Sequence, residues 1–161
     1  MIRNLSLKIK PCKKNIGAEI ICNLNNINKD QIKLIKKSLN KYGVVFFRDQ
    51  NLEPVNYIKF AKKIGQIADY PMLKGLSKKF PQITVVERKI SDKGPSFGEQ
   101  FHTDSSYTKK PPKFTMLLAK VVPKKGIGNT EFASQYLAYE NLNKFYKKKI
   151  KNLKAVFSSS G

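Results

Sequence analysis

The segment that most constrains this chain is residues 99–107, with the sequence EQFHTDSSY. Its polar and apolar residues alternate over several positions, which is typical of a half-buried β-strand. Residues two apart in a strand point to the same face of the sheet. We therefore expect His102 and Asp104 to direct an imidazole and a carboxylate toward one point.

This spacing has two interpretations. A His-x-Asp pair in a soluble protein is most often a solvated or hydrogen-bonded surface pair. The alternative is a divalent metal site, because two histidines and one carboxylate form the open-sided ligand set of non-haem Fe(II) oxygenases. His102 is the only histidine among the 161 residues, so a second histidine ligand cannot come from this chain.

Length and composition predict one folded domain spanning residues 1–161, with 40% hydrophobic residues to form its core. The two cysteines, Cys12 and Cys22, are too few for a disulfide framework and lack zinc-type spacing. We find no signal peptide and no apolar run of membrane-spanning length. These features predict a soluble, cytoplasmic protein without a membrane partner, and they leave homo-oligomerisation open.

The net charge is +21, from 32 basic and 11 acidic residues, which raises the alternative of a basic nucleic-acid-binding module. Two details disfavour that alternative. Only Arg3, Arg48 and Arg88 are arginines, whereas bidentate recognition of phosphate and guanine favours arginine. The lysines are dispersed along the polar faces of amphipathic segments. The positive field would equally attract small anionic substrates.

Periodicity and turn residues predict a mixed α+β chain that is rich in strands. Asn28 is an N-cap for a helix ending at Gly43, Pro54 begins a second helix ending at Gly65, and Ser134 caps a third. The run 43–48 is apolar throughout and predicts a central strand, buried on both sides. Irregular loops are expected at 68–79 and 91–98. The remaining predicted strands, besides 99–107, are 5–9, 17–22, 82–87, 114–122 and 153–157.

Several of these segments together resemble a known family. In chain order, they read GAEI at residue 17, GVVFFRDQ at 43, FA at 60 with IG at 64, HTDSSY at 102, GNTEFA at 128 and AYENL at 138. This series is similar to the TauD/TfdA family of Fe(II)- and 2-oxoglutarate-dependent dioxygenases. The segments around residues 104–106 and 130–132 look more like 2,4-dichlorophenoxyacetate dioxygenase than taurine dioxygenase.

The resemblance implies a double-stranded β-helix, a cupin-like jelly-roll barrel with flanking helices, of which residues 1–161 would be the N-terminal part. It implies that His102 and Asp104 are metal ligands and catalytic residues. It further implies that Thr130 hydrogen-bonds the 2-oxoglutarate carboxylate. Tyr70, in the loop after Gly65, falls near a position that contacts the substrate in the family, as does Ser105 beside the implied metal ligand.

The implied reaction is hydroxylation of a small anionic substrate, either a sulfonate or an aryloxy or other carboxylic acid. Fe(II) is the cofactor, O2 is consumed, and 2-oxoglutarate is decarboxylated to succinate. The family's second iron-binding histidine and its 2-oxoglutarate-binding arginine have no match here. We therefore expect this chain alone to be inactive, with an unclosed barrel that is incomplete at the C-terminus. A catalytically dead scaffold that binds a partner or anionic ligand is the other alternative.

Overall fold

A computed structural model describes residues 7–13, 16–68, 74–124 and 126–158 of the chain. The chain divides into two compact units, Met1–Phe97 and Gly98–Gly161, which we call the N-terminal and C-terminal units. The N-terminal unit contains, in order, β1 (Lys8–Pro11), β2 (Ala18–Ile21), a 3₁₀ turn (Leu24–Asn26), α1 (Lys29–Tyr42), β3 (Val45–Phe46), α2 (Pro54–Ile64), β4 (Gly75–Ser77) and β5 (Phe80–Thr84). The C-terminal unit contains α3 (Gln135–Asn141) and α4 (Lys144–Ile150).

The larger sheet has the strand order β1-β2-β3. β1 and β2 are antiparallel, whereas β2 and β3 are parallel, with Ala18 opposite Val45. The strand predicted at 17–22 is confirmed, and the one predicted at 5–9 corresponds to β1, which runs on to Pro11. The prediction of a central strand at 43–48 is wrong. β3 is a half-buried two-residue strand at the sheet edge, because among the described residues only β2 pairs with it.

Helix α1 begins and ends at the residues that the sequence indicates. The Asn28 side chain accepts a hydrogen bond from the Gln31 backbone N–H at 2.9 Å, and Gln31 Oε1 accepts one from the Asn28 N–H at 3.0 Å. This reciprocal pair is a capping box, which satisfies two backbone donors that helix geometry leaves free. Gly43 ends the helix with a φ of 73° and donates to the Leu39 carbonyl.

The core of the N-terminal unit lies between β2 and the inner faces of α1 and α2. Ile20, Ile35 and Leu52 are its largest fully buried side chains. Ile32 and Ile35 are three residues apart on α1, so they lie on one face of the helix. The other buried apolar residues are Ala18, Leu24, Ile27 and Phe60.

The sequence predicted a loop at 68–79, but part of it is β4, which forms a hairpin with β5. Residues 69–73 of the predicted loop lie outside the described residues. Glycine is required in this hairpin, since an ideal Cβ on Gly75 would lie 2.5 Å from the Pro81 carbonyl oxygen. The strand predicted at 82–87 exists as β5, shifted toward the N-terminus. The ends of a strand are hard to predict from sequence periodicity when the strand that pairs with it, here β4, has not been recognised.

The C-terminal unit differs most from the sequence-based expectations. The sequence predicted strands at 99–107, 114–122 and 153–157. These predictions are wrong, because the described part of this unit contains no strand. The helix that Ser134 caps is confirmed as α3, whereas α4 was not predicted. None of the described residues after Phe97 is buried. Isolated strands are marginal in water, so apolar segments without a hydrogen-bonded neighbour remain irregular.

The mixed α+β class is confirmed, although helices hold more of the described residues than strands do. The described strands form two small sheets and not a closed barrel. None of the helices in the described ranges is both long and apolar enough to cross a bilayer.

Two neighbouring residues of α1 test where the core lies. Ile35 is 1% exposed and Leu34 is 43% exposed. We expect Ile35→Ala to lower the free energy of unfolding by about 2–5 kcal/mol, because it removes a buried side chain and leaves a cavity. Leu34→Ala, the matched control on the outer face, should cost much less. Urea unfolding followed by circular dichroism measures both, and equal losses would contradict this assignment of the core.

Candidate metal centre

The side chains of His102 and Asp104 meet in the C-terminal unit. Nε2 of His102 lies 3.0 Å from Oδ1 of Asp104. Both side chains are half-exposed, at 52% and 50%, so an ion or a ligand can reach the pair from solvent. The expected convergence is therefore present, but the backbone that produces it is not a strand. Residues 104–107 form a turn.

A backbone contact orients the imidazole from its other side. Nδ1 of His102 lies 2.7 Å from the carbonyl oxygen of Gln100. A carbonyl and a carboxylate can only accept hydrogen bonds, so the ring donates from both nitrogens when it is protonated to the imidazolium. The pKa of His102 is accordingly raised, first by the hydrogen bond to the Gln100 carbonyl. Partial desolvation opposes this shift, while the charge of Asp104 and its hydrogen bond add to it.

The same geometry suits a metal ligand. Metal-binding histidines usually donate their second ring N–H to a carbonyl or carboxylate, which fixes the tautomer and the ring orientation. Here the Gln100 carbonyl takes that role and leaves Nε2 to face Asp104. Nε2 and Oδ1 lie 3.0 Å apart, which is an ordinary hydrogen-bond distance, and both atoms would be near enough to hold one divalent ion once the Nε2 proton is lost.

A turn begins at Asp104, the second residue of the pair. Ser105 has a φ of 51°, a left-handed conformation that is uncommon outside glycine. Its carbonyl oxygen accepts hydrogen bonds from the Thr108 backbone N–H at 3.0 Å and from the Thr108 hydroxyl at 2.8 Å. Sequence reasoning missed this turn and the Gln100 carbonyl. A backbone acceptor has no side-chain signature, and serine is not a usual marker of positive φ.

The other predicted site residues are Thr130, Ser105 and Tyr70. Thr130 is exposed, lies in irregular backbone, and makes no hydrogen bond to His102 or Asp104. Ser105 adjoins Asp104 in sequence. Tyr70 lies outside the described residues. Across the described ranges, no group of three or more His, Cys, Asp or Glu side chains could together hold a metal ion. The described structure therefore offers two candidate ligands, His102 and Asp104.

The N-terminal unit has a cleft of about 230 Å³ between the 3₁₀ turn and α2. It presents three lysines and two asparagines but no carboxylate, so it lacks the ligands that a divalent metal needs. Asn56 donates to Asn25 and Lys63 donates to the Ile27 carbonyl, so part of this polar surface is already hydrogen-bonded. The lining residues are Leu24, Asn25, Asn56, Lys59, Phe60, Lys62 and Lys63.

Comparisons with known proteins agree on one family. Residues 8–161 match the family described as "Taurine catabolism dioxygenase TauD, TfdA family". The α-ketoglutarate-dependent 2,4-dichlorophenoxyacetate dioxygenase of a Burkholderia species is 27% identical over 139 residues, which cover 78% of this chain and 46% of that protein. An alkylsulfatase of Acinetobacter baylyi is 28% identical over 156 residues, which cover 95% of this chain and 47% of that protein.

A yeast protein and a solved structure extend the comparison. The α-ketoglutarate-dependent sulfonate dioxygenase of Saccharomyces cerevisiae is 27% identical over 168 residues, covering 95% of this chain and 39% of that protein. The crystal structure of AAD-2 in complex with Mn(II) and N-oxalylglycine superposes with a TM-score of 0.65 at 23% identity, covering 90% of this chain and 49% of that one. It supports the fold alone. This chain spans about half the length of the curated relatives it matches.

The titration of His102 tests the two-acceptor geometry. Because His102 is the only histidine, a chain labelled with ¹⁵N-histidine gives the ring signals of this residue alone. We expect its pKa to lie above the ordinary value of 6.5, and both ring nitrogens to be protonated below that pKa. Asp104→Asn should lower the pKa, since it removes the negative charge that favours the imidazolium. A pKa at or below 6.5 in the unmodified chain would contradict the geometry.

Proposed function

This chain belongs to the taurine catabolism dioxygenase TauD, TfdA family, and from that membership we propose that it supplies part of the active site of a 2-oxoglutarate-dependent non-haem iron dioxygenase. The reaction takes a substrate C–H, O2 and 2-oxoglutarate, and yields the hydroxylated substrate, succinate and CO2. The substrate is a small organic anion, a sulfonate or an aryloxy or other carboxylic acid. The names of the relatives support this class, since they include dioxygenases of 2,4-dichlorophenoxyacetate and of sulfonates.

The observation that carries this proposal is the orientation of the His102 ring. The Gln100 carbonyl retains the proton on Nδ1, so Nε2 and the Asp104 carboxylate would hold Fe(II) at two adjacent positions. Binding of the ion must displace the Nε2 proton. Bound Fe(II) supplies the redox chemistry with O2, which protein side chains do not provide. The residues contribute the orientation and the charge that hold the ion.

Other residues have proposed roles around the ion. The Thr130 hydroxyl donates a hydrogen bond to a carboxylate of 2-oxoglutarate, and Ser105 and Tyr70 contact the substrate. An anionic substrate is favoured by the net charge of +21, which raises its local concentration near the protein. The assignments of Ser105 and Thr130 rest on the family motifs at residues 102–107 and 128–133, and that of Tyr70 rests on its place in the loop after Gly65.

The complete site needs more polypeptide than the C-terminal unit provides by itself. We propose that additional strands close a jelly-roll barrel around it and bring a second histidine and an arginine for 2-oxoglutarate. The exposure of the unit supports this proposal, because large apolar side chains such as Phe101, Leu117 and Phe132 are more than half exposed. In the described ranges the unit has no buried residue to serve as its own core.

Metal binding tests the first part of this proposal. Mn(II) added to the ¹⁵N-histidine-labelled chain should broaden the His102 ring signals, because the paramagnetic ion binds at Nε2. Asp104→Asn should weaken that binding at least about tenfold, the lower bound seen on loss of an outer-shell partner. The matched control is Asp30→Asn, which changes the charge equally at an exposed residue paired with Lys33. Equal Mn(II) affinity in both variants would exclude Asp104 as a ligand.

The second part predicts that the chain alone is inactive. With Fe(II) and 2-oxoglutarate under anaerobic conditions, we expect no visible charge-transfer band, and after O2 is admitted we expect no succinate. The physical reason is that two ligands and one hydroxyl do not replace three ligands and a salt bridge to the cosubstrate. A band or succinate from residues 1–161 would show that the chain suffices, while leaving the assignment of His102 and Asp104 intact.

A further inference from the structure

Gly98 lies next to the edge of the His102 imidazole that carries Nε2, the candidate ligand atom. An ideal Cβ built on Gly98 would lie 3.3 Å from Cε1 of His102 and 3.9 Å from Nε2. Carbon atoms in favourable contact are about 3.5–4.0 Å apart, so the nearer distance is shorter than ordinary packing allows. A Cβ at position 98 would therefore press on the imidazole, which would have to shift by a few tenths of an ångström.

The ring has little freedom to move away from such a side chain. Its Nδ1 is held by the Gln100 carbonyl at 2.7 Å and its Nε2 by Asp104 at 3.0 Å. Both contacts depend on direction as well as distance. A displacement of a few tenths of an ångström at Cε1 would turn the ring and lengthen at least one of them.

We propose that Gly98 is a positioning residue for His102, because its missing side chain sets where the ring lies and keeps Nε2 open toward Asp104. The part of this inference that concerns metal affinity rests on the proposed function. The part that concerns ring position stands on the geometry alone. Gly98 was predicted only as the end of a connecting loop at 91–98, and this role was not anticipated.

A simpler explanation of Gly98 is its backbone conformation. Its φ is +71°, and glycine adopts positive φ without steric cost. The chain contains a control for that explanation. Gly126 has a φ of +90°, lies in the same unit, and has no atom within 4 Å of an ideal Cβ. Alanine at Gly126 incurs the backbone strain without the contact, whereas alanine at Gly98 incurs both.

The test compares Gly98→Ala with Gly126→Ala in the ¹⁵N-histidine-labelled chain. We expect Gly98→Ala to shift the His102 ring signals and to lower Mn(II) affinity about 10–100-fold, the range seen when the support of a ligand is lost. Gly126→Ala should leave both unchanged. Gly98→Asn is the second variant, because asparagine tolerates positive φ better than alanine and still carries a Cβ. It should shift the ring signals of the metal-free chain in the same way.

Each outcome of this comparison decides the question. Ring signals that are unchanged in either Gly98 variant, or changed equally by Gly126→Ala, would overturn the positioning role. Ring signals that shift only in the Gly98 variants support it, whatever the result with Mn(II). Failure of the unmodified chain to bind Mn(II) would remove the proposed metal function while the positioning of His102 remained. Circular dichroism of all three variants verifies that the helices are retained.

Discussion

The candidate site of this protein depends on one imidazole held between two oxygen acceptors. Gln100 offers a backbone carbonyl and Asp104 a carboxylate, and the ring of His102 bridges them. The two acceptors differ in kind. The carbonyl belongs to the main chain and accepts the proton on Nδ1, whereas the proton on Nε2 can be replaced by a cation that Nε2 and the carboxylate would then share. This asymmetry is what turns an exposed hydrogen-bonded pair into a candidate ligand pair.

The sequence predicted those elements that carry their own local signals. Asn28 and Gln31 form a capping box and Gly43 a C-cap, so the bounds of α1 could be derived without the fold. Pro54 likewise begins α2. The sequence predicted that the side chains of His102 and Asp104 converge, but it predicted the wrong backbone conformation for this segment. Alternation suggested a strand, and the structure reaches the same convergence through a turn.

The sequence failed where structure depends on distant partners. The segment 114–122 has the composition of a strand, but in the described chain no neighbouring strand pairs with it, and Val121 is 94% exposed. An apolar pattern indicates which face of a segment would be buried. It does not indicate whether another part of the protein covers that face. This segment lies within the family match, and the chain spans about half the length of the curated relatives it matches. The assignments of Thr130 and Ser105 come from the family motifs and stay predictions.

The left-handed backbone at Ser105 has an evolutionary consequence. β-Branched and bulky residues are disfavoured there, whereas glycine, asparagine and aspartate are accommodated. Position 105 can therefore accept only a few kinds of side chain unless the turn itself changes. Neighbouring positions with ordinary backbone conformations carry no such restriction.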